Sequence, residues 1–588
     1  MKVRLFLFRL LRLRVWLTEL LRPRDLQVTL FWAGLVGFIG GLSSVLFRKC
    51  IHIVQWVFTH HQEDIAKAAI SLPWEIRLMI PTLGGLIAGW VIHLGMRFTR
   101  GQSSTDYMEA IVVGDGVIRS RPSLVKSVSS LMTIASGGSI GREGPMVQLA
   151  AMLASWIGRH AHVSVPRLQL LVACGAAAGI ASAYNAPIAG SLFVAEIILG
   201  SIAMESFGAL VFSSVIAVLT IRQFFGSEPI FETPAFYLVS SWEMVVYLIL
   251  GLLVGVTACG FLRLLRESER LFLSWNVPIY VRMVVGGFIV GLISIYSPHI
   301  LGNGYSVVDS MLHEDWMWGA LGMVLVCKLA ATAATVGSGA VGGVFTPTLF
   351  IGAALGSLWG VPVHALWSGT TATPHAYALV GMGCFLAATT RAPLMAILML
   401  FEMTLDYSIV LPLMLGCVTA YYTASSIEKG SIYAESLERK KLSQPEIPVS
   451  KKRVRDLIKL VPPTILETAD FAEIAKCFVL NQYNYLYVVD SENRFRGVIS
   501  LHDMKTHLNR SVIAQLVTAY DLMDGKFPVV TPETSVEETV AIFSRYDSEQ
   551  LPVVERGPER KLLGSVSKTD LLLMLTFQSK HLENKDAP

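Results

Sequence analysis

Several stretches of the chain carry no Asp, Glu, Lys or Arg, among them residues 28–47, 168–195, 244–262, 329–390 and 407–427. Each covers or nearly covers the roughly 20 residues with which a helix crosses a bilayer. The run 329–390 is 62 residues long, enough for more than one crossing. Gly, Pro, Ser and Thr are frequent inside these stretches. Smooth Leu-rich spans have no need of them, whereas broken helices whose free backbone groups line a polar cavity do. The pattern therefore predicts an α-helical polytopic membrane block. After Tyr433 the texture changes: the basic, hydrophilic stretch 435–459 leads into 451–578, which reads as a soluble α/β segment.

Composition agrees. Hydrophobic residues make up 53% of the chain and charged residues 16%, against roughly 25% charged in ordinary soluble proteins. Mean hydropathy is +0.55. A disordered chain is excluded and a wholly soluble one disfavoured. Seven Cys are scattered singly with no CxxC pair, so neither a disulfide framework nor a zinc cluster is indicated. The 13 His show no ligand spacing either, and no metal is expected. Net charge is +4, and residues 1–27 hold seven basic and two acidic residues. This leaves no global nucleic-acid footprint. The head mixes Arg and Leu at helical spacing and predicts a basic amphipathic helix on the cytoplasmic membrane surface; a soluble helix packed on the tail is the alternative. Basic sequence at both ends of the membrane block places both termini in the cytoplasm.

Two internal repeats appear. In the membrane block, GGLIAG (84–89) matches GGFIVG (286–291), and at the same offset GREGP (141–145) falls on GVFTP (343–347). Residues 175–196 match 381–402 in the same order. Two homologous halves meeting at a midplane site are a transporter architecture. In the tail, 461–490 matches 527–555, and each copy closes with a Gly-x-x-Ser-x-x-Asp turn: Gly497, Ser500 and Asp503, then Gly564, Ser567 and Asp570.

The GREGP and GVFTP segments each combine a Gly-rich approach, a Pro in a first helical turn and a long apolar helix. Gly lets backbone approach a ligand, and Pro is tolerated at a helix start. The free N–H groups and positive helix end then favour an anion. One helix end contributes about 0.3–1 kcal/mol, up to about 2, whereas burying an unpaired ion costs on the order of tens of kcal/mol by the Born estimate. Several ends, N–H groups and hydroxyls must therefore converge. Partial charges also suit a moving anion better than a full cation, because conduction requires release. Glu143 is the anomaly: a carboxylate beside Arg142, at a helix start, competes for the anion's place. It reads as a gate that occupies the site or withdraws; a plain helix-start Glu stabilising the dipole is the alternative.

GREGP, GGVFTP, YNAPIAGSLFVAE and the paired tail repeats together resemble the CLC family of chloride channels and proton/chloride exchangers, over about 28–435; TDYMEA (105–110) with GREGP is most similar to its bacterial ClcB-like branch. The tail resembles paired CBS domains. The resemblance implies a CLC fold of two inverted repeats with broken helices, plus a cytoplasmic α/β CBS pair, in a homodimer with one pore per subunit. The expected boundaries are a head 1–27, a membrane domain 28–435 with halves about 28–225 and 240–435, a linker 436–455, and CBS modules 456–510 and 520–578. It assigns Glu143 as gate and Tyr433 as inner-gate tyrosine, for which an ordinary interfacial aromatic is the alternative. It places chloride against Ser103, with Ser104 as runner-up, and against Gly144, Val344, Phe345 and Tyr433, supported by Gly141, Arg142, Pro145, Gly343 and Pro347. It also implies a cleft in the tail for an adenine nucleotide at Ser500, Asp503, Ser567 and Asp570, with no other cofactor. A bacterial inner membrane is the expected location.

Two departures matter. The family's Gly-Ser-Gly-x-Pro loop is here QSSTD (102–106), which puts anion preference in question. Exchangers commonly follow SLFVAE with a second acid that relays protons; here Glu196 precedes Ile197. This favours a voltage-gated-type chloride channel over a proton-coupled antiporter. Glu196 and Glu402, matched in the repeat, read as structural carboxylates bonded to backbone N–H groups, with functional intramembrane acids as the alternative. An enzyme reading rests on G-x-G-x-x-G within GSGAVGG (337–343), but that motif needs a preceding strand and a nearby acid, and no acid follows before Glu402. A CBS-regulated cation transporter would need acidic rings or carbonyl sites, and acids are sparse.

Overall fold

The computed structural model describes most of residues 25–431 and parts of 453–571; outside the described residues lie 1–24, 99–105, 432–452, 479–484, 501–517, 572–588 and shorter breaks. The chain divides into two compact units, Met1–Lys440 and Lys441–Pro588. Ser103, Tyr433, Asp503 and Asp570 fall outside the described residues, as does nearly all of the basic head.

The first unit is helical. Its first half contains α1 (Asp25–Thr59), α2 (Ile65–Ser71), α3 (Trp74–Phe98), α4 (Tyr107–Val112), α5 (Ser120–Ala135), α6 (Glu143–His160), α7 (Val165–Tyr184), α8 (Pro187–Leu199) and α9 (Met204–Phe225). Its second half contains α10 (Glu243–Ser274), α11 (Ile279–Tyr296), α12 (Tyr305–His313), α13 (Trp318–Gly337), α14 (Phe345–Leu366), α15 (Pro374–Thr390), α16 (Pro393–Thr404) and α17 (Val410–Ile427). Among the described residues, nine helices are long and apolar enough to span a membrane. The motif GSGAVGG is preceded by helix α13 rather than by a strand, which removes the dinucleotide reading.

Equivalent elements of the halves meet across a local two-fold. Gly141 and Gly343 form an antiparallel bridge, each N–H donating to the other's carbonyl at 2.7 and 3.0 Å. Helices α3 and α11 approach through small residues: a Cβ on Gly85 would stand 2.3 Å from the Met283 carbonyl oxygen, and one on Gly287 2.2 Å from that of Pro81. Asn185 and Arg391, matched in the repeat, both end their helices in left-handed conformation, at φ of 53° and 63°. Glu402 accepts from the N–H groups of Ile188 (3.0 Å) and Ala189 (2.8 Å), while Glu196 accepts from those of Leu394 (3.3 Å) and Met395 (2.8 Å). Each half thus caps the other's short helix with a carboxylate, the structural role read from the sequence. A third buried carboxylate, Glu243, takes hydrogen bonds from the Tyr377 and Tyr247 hydroxyls and the Ala372 and Val239 N–H groups. These bonds matter because bare polar groups at such depth cost several kcal/mol each, in rough terms.

In the second unit, β1 (Thr464–Leu466) runs parallel to β2 (Tyr485–Val489), which pairs antiparallel with β3 (Phe495–Ser500). Helices α18 (Ala519–Leu522) and α19 (Val536–Arg545) lead to β4 (Gln550–Val554), antiparallel to β5 (Leu562–Ser567). The repeat shows in the register. Tyr485 faces Ser500 and Gln550 faces Ser567, and both pairs break register at matched valines, Val488/Val489 and Val553/Val554. The modules join where the Phe495 N–H donates to the Arg560 carbonyl and the Leu562 N–H to that of Asn493.

Candidate functional site

The Gly141–Gly343 bridge brings the starts of α6 and α14 together, and Glu143, the first residue of α6, points into the first turn of α14. Its carboxylate is 2% exposed. Oε1 accepts from the Phe345 N–H at 2.8 Å and the Thr346 N–H at 3.3 Å, and Oε2 accepts from the Thr346 hydroxyl at 3.1 Å. The Thr346 hydroxyl oxygen lies 3.2 Å from the Tyr184 Oη and 3.4 Å from the Tyr305 Oη. The Tyr184 and Phe345 rings close the side, their centres 4.8 Å apart. Among the described residues no cation touches the carboxylate. Backbone dipoles and one hydroxyl hold it, which is the receptor a small anion needs.

The glycines have a steric purpose here. A Cβ on Gly343 would lie 2.1 Å from Glu143 Oε1, and one on Gly141 would lie 2.1 Å from Oε2. Only bare backbone leaves the carboxylate its seat. Pro145 and Pro347 occupy first helical turns, where a missing N–H costs nothing.

Two cavities approach this point. One, of about 240 Å³, is lined by Glu143, Gly144, Gly343 and Val344, with Asp106 and Lys126. The other, of about 380 Å³, is lined by Arg48, His52, Asp64, Arg142 and Tyr305. The contacts Tyr305–Thr346–Glu143 therefore run from the wall of one cavity to the wall of the other. The Arg142 guanidinium lies over the Tyr305 ring, 5.0 Å from its centre.

The structure brings together Gly141, Arg142, Glu143, Gly144, Pro145, Gly343, Val344, Phe345 and Pro347. The donors to the carboxylate are the Phe345 and Thr346 N–H groups and the Thr346 hydroxyl, while Val344 lines the adjoining cavity. Thr346, Tyr184 and Tyr305 were missed. Thr346 lies inside the GVFTP motif, so its hydroxyl was findable. Tyr184 opens the YNAPIAGSLFVAE motif and carried a local signal too, whereas Tyr305 lies outside every motif and nothing local marks it. Ser500 and Ser567 sit at matched ends of β3 and β5.

Comparison with known proteins agrees with this geometry. The family model described as voltage gated chloride channel matches residues 84–425, and the CBS domain model matches 454–510 and 519–576. A protein of Ralstonia nicotianae named for its likeness to the chloride channel ClcB is 53% identical over 411 residues, 69% of this chain and 96% of that protein. The voltage-gated ClC-type chloride channel ClcB of Citrobacter koseri is 39% identical over 413 residues, 68% of this chain and 97% of its own length. Among solved structures, a slow cyanobacterial Cl⁻/H⁺ antiporter is 26% identical with a TM-score of 0.63, covering 71% of this chain and 99% of that one. The chain therefore belongs to the voltage gated chloride channel (CLC) family of channels and transporters, and a pair of CBS domains follows its membrane unit in the sequence.

Proposed function

We propose that this chain conducts chloride passively and that Glu143 is its gate. The observation that carries the reading is the seat of the Glu143 carboxylate, on the Phe345 and Thr346 donors between two cavities. A carboxylate that fills an anion receptor blocks it. Once it withdraws or is protonated, the same N–H and hydroxyl groups face a chloride ion. Among the described residues no ammonium or guanidinium holds the receptor, so the ion can leave. Passive conduction is favoured by Glu196 and Ile197: the acid is engaged by Leu394 and Met395, and its neighbour cannot carry a proton.

Proton-coupled exchange is the second reading, and one observation favours it. Asp106 lines the same cavity as Glu143, and its Oδ1 is buried with no hydrogen-bond partner among the described residues. A second carboxylate on the path is what a relay uses. The deciding experiment is current reversal in liposomes under opposed chloride and proton gradients. The channel reading requires reversal at the chloride equilibrium potential whatever the proton gradient. A shift with the proton gradient would replace it with exchange.

The same proposal has both termini on the cytoplasmic side of a bacterial inner membrane and pairs the chain with a second copy. Its support is the basic sequence flanking the membrane unit. Labelling of cysteines introduced near each end, from either side, checks the orientation.

A further inference from the structure

Lys328, in the middle of α13, is completely buried. Its Nζ donates to the carbonyls of Ile300 (3.0 Å) and Gly302 (2.9 Å) and lies 4.8 Å from the centre of the Phe350 ring. A lysine is almost never fully buried unless it has a specific task for its amine. Here the task is visible: both acceptors belong to the turn that leads into α12. In that turn Gly302 and Gly304 stand at φ of +67° and +82°, and the Lys328 amine supplies a donor to two of its buried carbonyls.

The same turn reaches the Glu143 site from two directions. The Gly302 N–H donates to the Gly137 carbonyl at 2.9 Å, in the loop that delivers Gly141 and Glu143. Tyr305, the first residue of α12, brings its hydroxyl to 3.4 Å from the Thr346 hydroxyl oxygen, which in turn donates to Glu143. The next residue, Ser306, donates to the Asp64 carboxylate at 2.6 Å. Phe350, beneath the Lys328 nitrogen, is on α14 one turn beyond Thr346. One amine thus links α13, the 300–304 turn and α14, without itself touching the carboxylate.

We propose that Lys328 is a positioning residue for the gate: by holding the 300–304 turn it sets where Tyr305 and Gly137 stand, and through them how well the α14 receptor closes on the Glu143 carboxylate. This rests on reading Glu143 as the gate. A lysine needed only for packing would change how much protein folds. A positioning lysine changes how often Glu143 leaves its seat.

The test uses the full chain in liposomes, with initial chloride efflux as readout and elution of the purified protein as a folding check. Lys328→Met keeps length and apolar bulk but donates nothing. Lys328→Met should change efflux by about threefold or more, and the change should vanish in a Glu143→Gln background, where no charged gate remains. Equal effects in both backgrounds overturn the proposal, since the lysine would then act on the fold. Wild-type efflux from Lys328→Met, with altered efflux from Glu143→Gln, also overturns it and leaves Glu143 as the gate. Unaltered efflux from Glu143→Gln removes the gate reading itself and this proposal with it. Should Lys328→Met not elute as folded protein, Tyr305→Phe decides: it removes one hydroxyl from the far end of the same chain of contacts. Altered efflux that disappears with Glu143→Gln supports the proposal; unaltered efflux overturns it.

Discussion

Gly343→Ala tests the seat of Glu143 without touching the carboxylate. The added Cβ would stand 2.1 Å from Glu143 Oε1, 2.4 Å from Cδ and 2.8 Å from Cγ, distances no real structure tolerates. Gly343 has no positive φ, so alanine suits its backbone, and the hydrogen bonds with Gly141 need no change. The side chain of Glu143 must give way. Its carboxylate makes three hydrogen bonds, at 2.8, 3.3 and 3.1 Å, and bonds to a charged group contribute about 1.5–3 kcal/mol each. Losing only one shifts the open-to-closed ratio roughly 10- to 150-fold at about 1.4 kcal/mol per tenfold. Efflux from liposomes should therefore rise until the open pore itself limits it. Gly260→Ala, where an added Cβ meets nothing within 4 Å, is the control and should match wild type. In a Glu143→Ala background, Gly343→Ala should add nothing. Folded Gly343→Ala protein with wild-type efflux would refute the argument, because the carboxylate could not then be closing the path from this seat.

Further expectations follow from the same contacts. Glu402→Gln turns one acceptor into a donor facing the Ile188 and Ala189 N–H groups, so the thermal midpoint in detergent should fall, by about 1–3 kcal/mol of stability, with ion selectivity unchanged; Glu196→Gln should do the same against Leu394 and Met395. Asp106→Asn removes a negative charge from the wall of the anion path, so chloride efflux should rise severalfold while reversal stays at the chloride potential. Hydrogen bonding to Arg263, and then to Arg266, holds the Glu428 carboxyl below its usual range. Its contribution to stability is complete above the ordinary carboxylate range and is lost as pH falls through that depressed value. Glu428→Gln should therefore lower the melting temperature at neutral pH and flatten its fall toward pH 4, as followed by scanning fluorimetry.

Much of this was legible in the chain because repetition reveals what local pattern hides. Charge-free runs gave the membrane helices, and the 84/286 and 141/343 matches named the residues that meet across the local two-fold. Glu196 and Glu402 were read as structural from their matched positions alone, and their reciprocal capping follows from that match. What pattern could not give was anything set by distant packing. Thr346 contributes an N–H and a hydroxyl to the seat, yet a threonine in an apolar helix start looks ordinary. Tyr184 and Tyr305 join it only because α7 ends and α12 begins beside α14. Lys328 carries no motif, and its meaning depends on a turn some 25 residues earlier in sequence. Ser103, in the QSSTD stretch, lies outside the described residues.

The central claim is that chloride rests where the Glu143 carboxylate now sits. The most direct measurement is anomalous diffraction from Glu143→Ala protein crystallised in bromide. A bromide peak is expected within hydrogen-bonding distance of the Phe345 and Thr346 nitrogens, beside the Thr346 hydroxyl. Bromide bound elsewhere along the path, with none at those donors, would contradict it.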